Sequence, residues 1–225
     1  MKKLAIIHTT TVTVEPLKAL AKELLPQTTV INFVDDSILP QLRKNGSDIH
    51  AIAPRWIAYA HFAEEAGADI ILNACSSVGE LCTLAQPHIA VPIVRIDAPM
   101  AELAVCRSDT IGVVATVPMT LGPTVRLLQE KAIAAGRQVT LSPLLIAEAF
   151  ERLSAGDSAG HDTLLVEALT QLLEEVEVIV LAQASMARIT ATFPVTQRER
   201  FLSSPRLGME AVRTLLEQRM PQQGS

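Results

Sequence analysis

Short apolar runs alternate along the chain with longer stretches whose apolar residues recur every third or fourth position. Runs bounded by turn residues read as buried strands, and the periodic stretches as amphipathic helices. Residues 4–8 predict a first strand. Residues 14–25 predict a helix with Leu17, Leu20, Ala21 and Leu24 on one face, stopped by Pro26. A strand over 30–34, a loop over 35–40, a helix over 49–66 closed by Gly67 and a strand over 69–72 follow. A polar turn around Cys75 leads into a helix over 78–85. The strand predicted over 90–96 contains Pro92, which places it at a sheet edge or makes the proline its first residue. A helix over 100–106 ends this round.

A second round opens with a strand over 110–116 and a helix over 119–135 ended by Gly136. A strand over 139–142, a helix over 144–153, a flexible loop over 154–160 and a helix over 162–176 come next. The strand and turn of 177–186 are followed by a segment, 198–204, that leads into a last helix over 207–219. The tail 221–225 reads as frayed. Strands alternating with helices throughout predict an α/β fold with parallel sheets.

The two rounds match each other. His8-Thr9-Thr10-Thr11 stands after the first strand as Ala115-Thr116-Val117-Pro118 stands after the strand over 110–116. Asp69-Ile-Ile-Leu-Asn-Ala-Cys75-Ser-Ser corresponds to Glu177-Val-Ile-Val-Leu-Ala-Gln183-Ala-Ser. Counted from the acid, Cys75 falls opposite Gln183, and a slip of one residue puts it opposite Ala184. Repetition in the same order is the signature of an internally duplicated fold. Two such halves would set their strand ends face to face around a site.

Cys75 is the first candidate for chemistry. A cysteine at the carboxyl end of a parallel strand, just before a helix, sits where open α/β sheets place ligands. Free backbone N–H groups and the positive end of the helix dipole would stabilise its thiolate and lower its pKa. Burial as a small apolar residue is the commoner fate of a cysteine, but Asn73, Ser76 and Ser77 around it argue for a site.

Composition narrows the choices. The 225 residues suffice for one large domain or two small ones, and 49% are hydrophobic against 19% charged. The mean hydropathy of +0.31 is high, yet no apolar run reaches the roughly 18 residues of a spanning helix. Buried parallel strands and subunit interfaces account for the excess, and a homo-oligomer is the expectation. A net charge of −5 without a basic block argues against nucleic acid or a membrane as partner. The Met-Lys-Lys start has the charge of a signal-peptide n-region, but its apolar run stops at His8 with no cleavage motif, so it reads as a strand. Three cysteines in no paired or metal-binding pattern point to a cytoplasmic protein without a zinc site.

Asn73-Ala74-Cys75-Ser76-Ser77, the run Val91 to Asp97, Gly112-Val-Val-Ala-Thr116 and Leu181-Ala182-Gln183-Ala184-Ser185 together resemble the aspartate/glutamate racemase superfamily. That superfamily includes hydantoin racemases, maleate isomerases and arylmalonate decarboxylases. The resemblance covers essentially the whole chain through short motifs in a shared order. It implies two pseudo-symmetric α/β lobes, each a mostly parallel sheet flanked by helices, with the active site in the cleft between them. Residues 1–98 and 200–225 would form the lobe carrying Cys75, and 99–199 the lobe carrying Gln183. It implies no cofactor and no metal.

In such racemases two cysteines face each other across the substrate α-carbon, one removing a proton and the other returning one. This chain departs from that pattern, because Gln183 or Ala184 stands where the second cysteine would be. Three single-thiol chemistries remain. Cys75 protonates an enediolate after loss of CO₂, adds covalently to an activated double bond, or works as one base opposite another acid, for which His8 is the candidate. His8 as a loop histidine bonded to its neighbours is an equal reading.

Hydroxyl and amide donors near the strand ends suit a small carboxylate, either an amino acid or a dicarboxylate derivative. The substrate-binding candidates are Thr9, Thr10, Asn73, Ser76 and Ser77 in the first half. Thr116, Thr120, Gln183 and Ser185 are those of the second. Asp36 and Asp97 read as helix caps, Cys82 and Cys106 as core, Trp56 and Tyr59 as interface residues, and Arg95 and Arg188 as members of surface salt links. The expected function is a cofactor-independent racemase-like isomerase. A decarboxylase or other lyase, and a binding protein without turnover, are the alternatives.

Overall fold

The computed structural model describes residues 2–219, the side chain of Ser185 excepted. The described residues divide into two compact units, one running to Ile96 and resuming at Pro205, the other Asp97–Ser204.

The first unit opens with β1 (Lys2–His8), a 3-10 turn (Thr11–Thr13), α1 (Val14–Leu24) and β2 (Thr28–Val34). It continues through α2 (Ile38–Lys44), α3 (Ala53–Glu65), β3 (Ile70–Asn73), a 3-10 turn (Ser76–Val78), α4 (Leu81–Ala85) and β4 (Ile93–Arg95). The strands form one parallel sheet in the order β2-β1-β3-β4. All four residues of β3 are buried, as expected of a central strand covered on both faces. Leu4, Ile6, Ile70 and Leu72 form a core with Leu17 and Ala21 of α1. Each fully buried aliphatic side chain there contributes about 1.5–3 kcal/mol.

The second unit repeats this plan. It holds α5 (Ala98–Arg107), β5 (Thr110–Ala115), α6 (Pro118–Ala134), β6 (Thr140–Leu145), α7 (Ala147–Ser154) and α8 (Ser158–Leu172). Then come β7 (Val178–Leu181), a 3-10 segment (Ala184–Thr192), α9 (Val195–Arg198) and β8 (Phe201–Ser203). Its sheet is parallel in the order β6-β5-β7-β8. Gly112 lets α8 approach β5, since a Cβ there would stand 2.7 Å from Leu172 Cδ2. The last helix, α10 (Ser204–Gln218), returns to the first unit, where Met209, Val212 and Leu216 join the α1 core.

Several elements differ from the sequence pattern. The loop expected over 35–40 contains the start of α2, whose Pro40 lies in the first turn, where a missing N–H breaks no helical bond. The helix expected from 144 begins at Ala147, because Leu144 and Leu145 extend β6 beside β5. α8 starts four residues early, capped by Asp157, whose carboxylate accepts from Gly160 N at 2.8 Å. β4 shrinks to three residues at the sheet edge, just past Pro92, whose carbonyl accepts from Ile71 N at 2.9 Å. β8 has no counterpart in the pattern. The tail 221–225 lies outside the described residues.

Candidate active site

Cys75 lies two residues beyond β3. Ala74 N still donates to Ile7 O at 3.0 Å, so the parallel ladder carries the chain one residue past the strand. Cys75 remains extended (φ −136°, ψ 114°) at the head of the 3-10 turn Ser76–Val78. Ser76, Ser77 and Val78 are buried, while Cys75 itself is half-buried and keeps some surface open.

Burial pushes the Cys75 thiol pKa up. The Thr9 hydroxyl, the backbone N–H groups of Ser77 and Val78 and the Ser77 hydroxyl pull against that rise without cancelling it. The lowered thiol expected from the sequence is therefore corrected: near neutral pH the side chain is a protonated acid. Desolvation is the cause, and the helix expected over 78–85 is split into one 3-10 turn and the five-residue α4, so no long helix aims its dipole at the sulfur to offset it.

Two polar atoms beside this turn are buried without hydrogen-bond partners, Thr9 Oγ1 and Asn73 Oδ1. Thr9 follows β1 as Cys75 follows β3, with Ile7 and Asn73 in register. Its hydroxyl makes no well-aligned hydrogen bond, yet it is close enough to the sulfur to favour the thiolate. Asn73 Nδ2 donates to Cys75 O at 3.0 Å. Thr10 is half-buried, and its side chain accepts from Val12 N at the head of the turn Thr11–Thr13. Arg95 lies against the same segment, because a Cβ on Gly79 would collide with its Nε.

His8 is fully buried, with Nδ1 2.8 Å from Thr13 Oγ1 and Nε2 3.0 Å from Asn32 Oδ1. Desolvation lowers its pKa against the raising effect of Asn32. A neutral ring donating from Nε2 and accepting at Nδ1 satisfies both contacts. With both nitrogens engaged, His8 ties β1 to β2 and to the threonine loop. Neither Thr13 nor Asn32 was a candidate: Thr13 is one of several threonines in its loop, and nothing local marks Asn32, 24 residues away, as a partner.

The second unit settles the internal alignment. Ala182 N donates to Val114 O as Ala74 N donates to Ile7 O. Gln183 is extended (φ −124°, ψ 134°) at the head of the 3-10 segment Ala184–Thr192. Gln183, not Ala184, is thus the counterpart of Cys75, and Thr116 that of Thr9. Gln183 Oε1 accepts from Thr116 N at 2.6 Å and from Thr116 Oγ1 at 3.0 Å. Thr120 is buried in the first turn of α6, and Ser185 stands in the 3-10 segment with its side chain outside the described residues.

Other sequence readings change in detail. Asp97 heads α5 without a capping side-chain bond, and Ser37, not Asp36, stands at the head of α2. Trp56 is fully buried, and the half-buried Tyr59 donates to Asp35 at 2.9 Å. Burial pushes the Asp35 carboxyl up, but bonds from Ser37 and Tyr59 and the charge of Arg55 outweigh it and hold it low. This network, missed in the sequence, anchors the loop after β2 to α3. Cys106 is exposed rather than core, whereas Cys82 is buried. Arg188 pairs with Asp162. An open depression of about 910 Å³ lies at the far end of the second sheet, beside Thr110 and Thr140, where β5 and β6 begin.

Among the described residues no group of three or more His, Cys, Asp or Glu is placed to hold a metal ion, and no helix is long and apolar enough to cross a membrane. The arrangement defines a two-unit α/β protein with a donor-ringed thiol at the carboxyl end of a central parallel strand. The model of the Asp/Glu/hydantoin racemase family matches residues 5–202, and the chain belongs to that family.

Solved structures share the fold. A Yersinia pestis protein assigned to the Asp/Glu racemases is 19% identical with a TM-score of 0.75, over 96% of this chain and 99% of that one. A Francisella tularensis glutamate racemase in complex with D-glutamate is 16% identical with a TM-score of 0.74, over 96% and 81%. An aspartate racemase homologue from Pyrococcus horikoshii is 19% identical with a TM-score of 0.71, over 96% and 100%. No curated protein sequence matches the chain.

Proposed function

We propose that this racemase-like enzyme acts on a small carboxylate through a single thiol, Cys75, without a cofactor. The observation that carries the reading is the contrast between the two equivalent turns. One holds a partly open thiol ringed by donors and by unpaired polar atoms, and the other holds an amide that neither gives nor takes a proton near neutral pH. Ser76 and Ser77, with Thr9 and Thr10 on the neighbouring strand end, supply the donors for a carboxylate. The same donors stabilise negative charge as a substrate carbon gains carbanion or enediolate character. In the isomerase reading Cys75, as thiolate, takes a proton from the carbon beside the carboxylate, an acid on the opposite face protonates the resulting enediolate, and both groups reset by proton exchange with water.

The raised thiol pKa favours a second reading, a decarboxylase. There a C–C bond of the substrate breaks, CO₂ leaves, and the electron pair remains as an enediolate. Cys75 Sγ–H then delivers its proton to carbon, and the thiolate recovers one from water.

Deuterium uptake from D₂O into aspartate, glutamate, hydantoins, maleate and substituted malonates, compared between wild type and Cys75→Ala, separates these readings. Cys75-dependent exchange without inversion identifies a one-face base, and Cys75-dependent CO₂ release identifies the decarboxylase. The absence of exchange, isomerisation and CO₂ across the panel overturns catalysis at this thiol on these acids and leaves a binding protein.

A further inference from the structure

Each sheet has two outer strands, and three of these four edges are blunted. β4 and β8 are only three residues long. In β6 the N–H groups of Thr140 and Ile146 donate towards β5, to Asp109 O and Ala115 O. Backbone groups alternate sides along a strand, so Pro143 falls on the outer side. There it withholds a donor from the free edge without breaking the ladder.

β2 is different. Asp35 N donates to His8 O, so the backbone groups of Thr29, Ile31 and Phe33 face β1 and those of Val30, Asn32 and Val34 face outward. These outward N–H and C=O groups have no partner among the described residues. Asn32 pairs in register with Ile6 as Pro143 pairs with Val113, so Asn32 is the counterpart of Pro143. The edge that the second unit closes with a proline is left open in the first, over seven residues without proline or lysine.

α1 borders this open edge. Glu15, Lys18, Ala19 and Lys22 line a groove of about 430 Å³ together with Thr28 and Val30 of β2. The four helix residues are exposed, with Glu15 in the first turn and Lys22 in the last. A face with an acid at one end and a base at the other complements itself when reversed, which suits an isologous contact about a two-fold axis. We infer that β2 is a self-association edge, at which two copies of the chain pair antiparallel about a two-fold axis at Asn32 to form one eight-stranded sheet. Val30 then faces Val34 of the partner subunit, and three residue pairs exchange both of their backbone bonds. The same axis sets the two α1 helices antiparallel, with Glu15 towards Lys22 of the partner subunit. A second copy suits this edge better than an unrelated extended segment, because it brings the helix whose charges match.

Sedimentation velocity of the full chain is expected to show a species of twice 24.2 kDa with a dissociation constant of about 10 μM or tighter. Hydrogen exchange should find the amides of Val30, Asn32 and Val34 slow in the dimer and fast after dilution. Val34→Lys puts a charge on the edge and should weaken the dimer about 10-fold or more. Lys22→Glu sets acids against each other and should weaken it about 3- to 30-fold, and adding Glu15→Lys to the same chain should restore it.

A chain that remains a monomer at about 100 μM overturns the inference and leaves the edge to some other extended chain. So does a dimer whose outward β2 amides exchange as fast as in the monomer, or one that folded Val34→Lys leaves intact. A dimer indifferent to Lys22→Glu overturns the two-fold arrangement, and this arm, on an exposed helix face, holds even where Val34→Lys does not fold. None of these outcomes depends on the chemistry at Cys75.

Discussion

The turns at Cys75 and Gln183 share one backbone and settle their polar groups in opposite ways. Each follows a central parallel strand, each begins with an extended residue heading a 3-10 segment, and each has a threonine on the adjacent strand end. In the second unit both donors of Thr116 go to Gln183 Oε1, so the turn is closed on itself. In the first unit a thiol replaces the amide. Sulfur is a weak acceptor, so the Thr9 hydroxyl makes no well-aligned bond, and Asn73 Oδ1 nearby has no donor. One copy of the frame uses its polar groups on structure and the other leaves two of them without partners, the kind of local departure that native proteins concentrate at functional sites.

The largest test of that contrast removes the thiol. Cys75→Ala is expected to lower exchange or CO₂ release by about 10²–10⁴-fold, the usual share of a general acid or base, while far-UV circular dichroism stays native. Activity retained at the wild-type level would shift the chemistry to another residue.

Gln183→Cys makes the two turns chemically alike. It is expected to lose about 1–3 kcal/mol in denaturant melts, because Thr116 forfeits its acceptor. A melt that matches wild type would mean that Thr116 finds another acceptor.

The paired threonines sharpen the comparison at smaller scale. Thr116→Val deletes a hydroxyl that is bonded, and about 1 kcal/mol of stability should go with it. Thr9→Val deletes one with no well-aligned bond, so urea midpoints should hardly move while the thiol pKa rises further. Equal losses of stability would erase the distinction between a closed and an open turn.

The pH dependence of alkylation is the mildest test. Because burial raises the Cys75 pKa, its alkylation midpoint should lie above the roughly 8.5 of a free cysteine. The sign for stability follows: above that pH the unfolded thiol ionises first, so the contribution of the neutral buried thiol is full below about 8.5 and is lost as pH rises. A midpoint below 8.5 in the absence of ligand would mean that the donors around the sulfur outweigh its desolvation.

Much of the architecture was legible because it is written in short-range pattern. The apolar runs at 69–72 and 177–181 mark central strands, since a strand covered on both faces must be apolar throughout. The doubling of the plan showed in the order of matched turns. The position of Cys75 at a strand end followed from the boundary of one such run.

What escaped the sequence depends on residues far apart along it. β8 is only three residues long and exists because it pairs with β7, and α2 hides behind a proline that a first turn tolerates. Whether Gln183 or Ala184 answers Cys75 was undecided until the ladder bonds of Ala74 and Ala182 fixed the register. The contacts of His8 with Thr13 and with Asn32 on the neighbouring strand likewise show only in the fold. The direction of the Cys75 pKa reversed because desolvation is a property of the packed surroundings and not of the motif. Periodicity is encoded residue by residue, so the sequence alone determined the class of fold and the place of its thiol. Register, burial and the pairing of polar atoms are summed over the whole fold, and only the tertiary structure decided which turn is closed and which is left open.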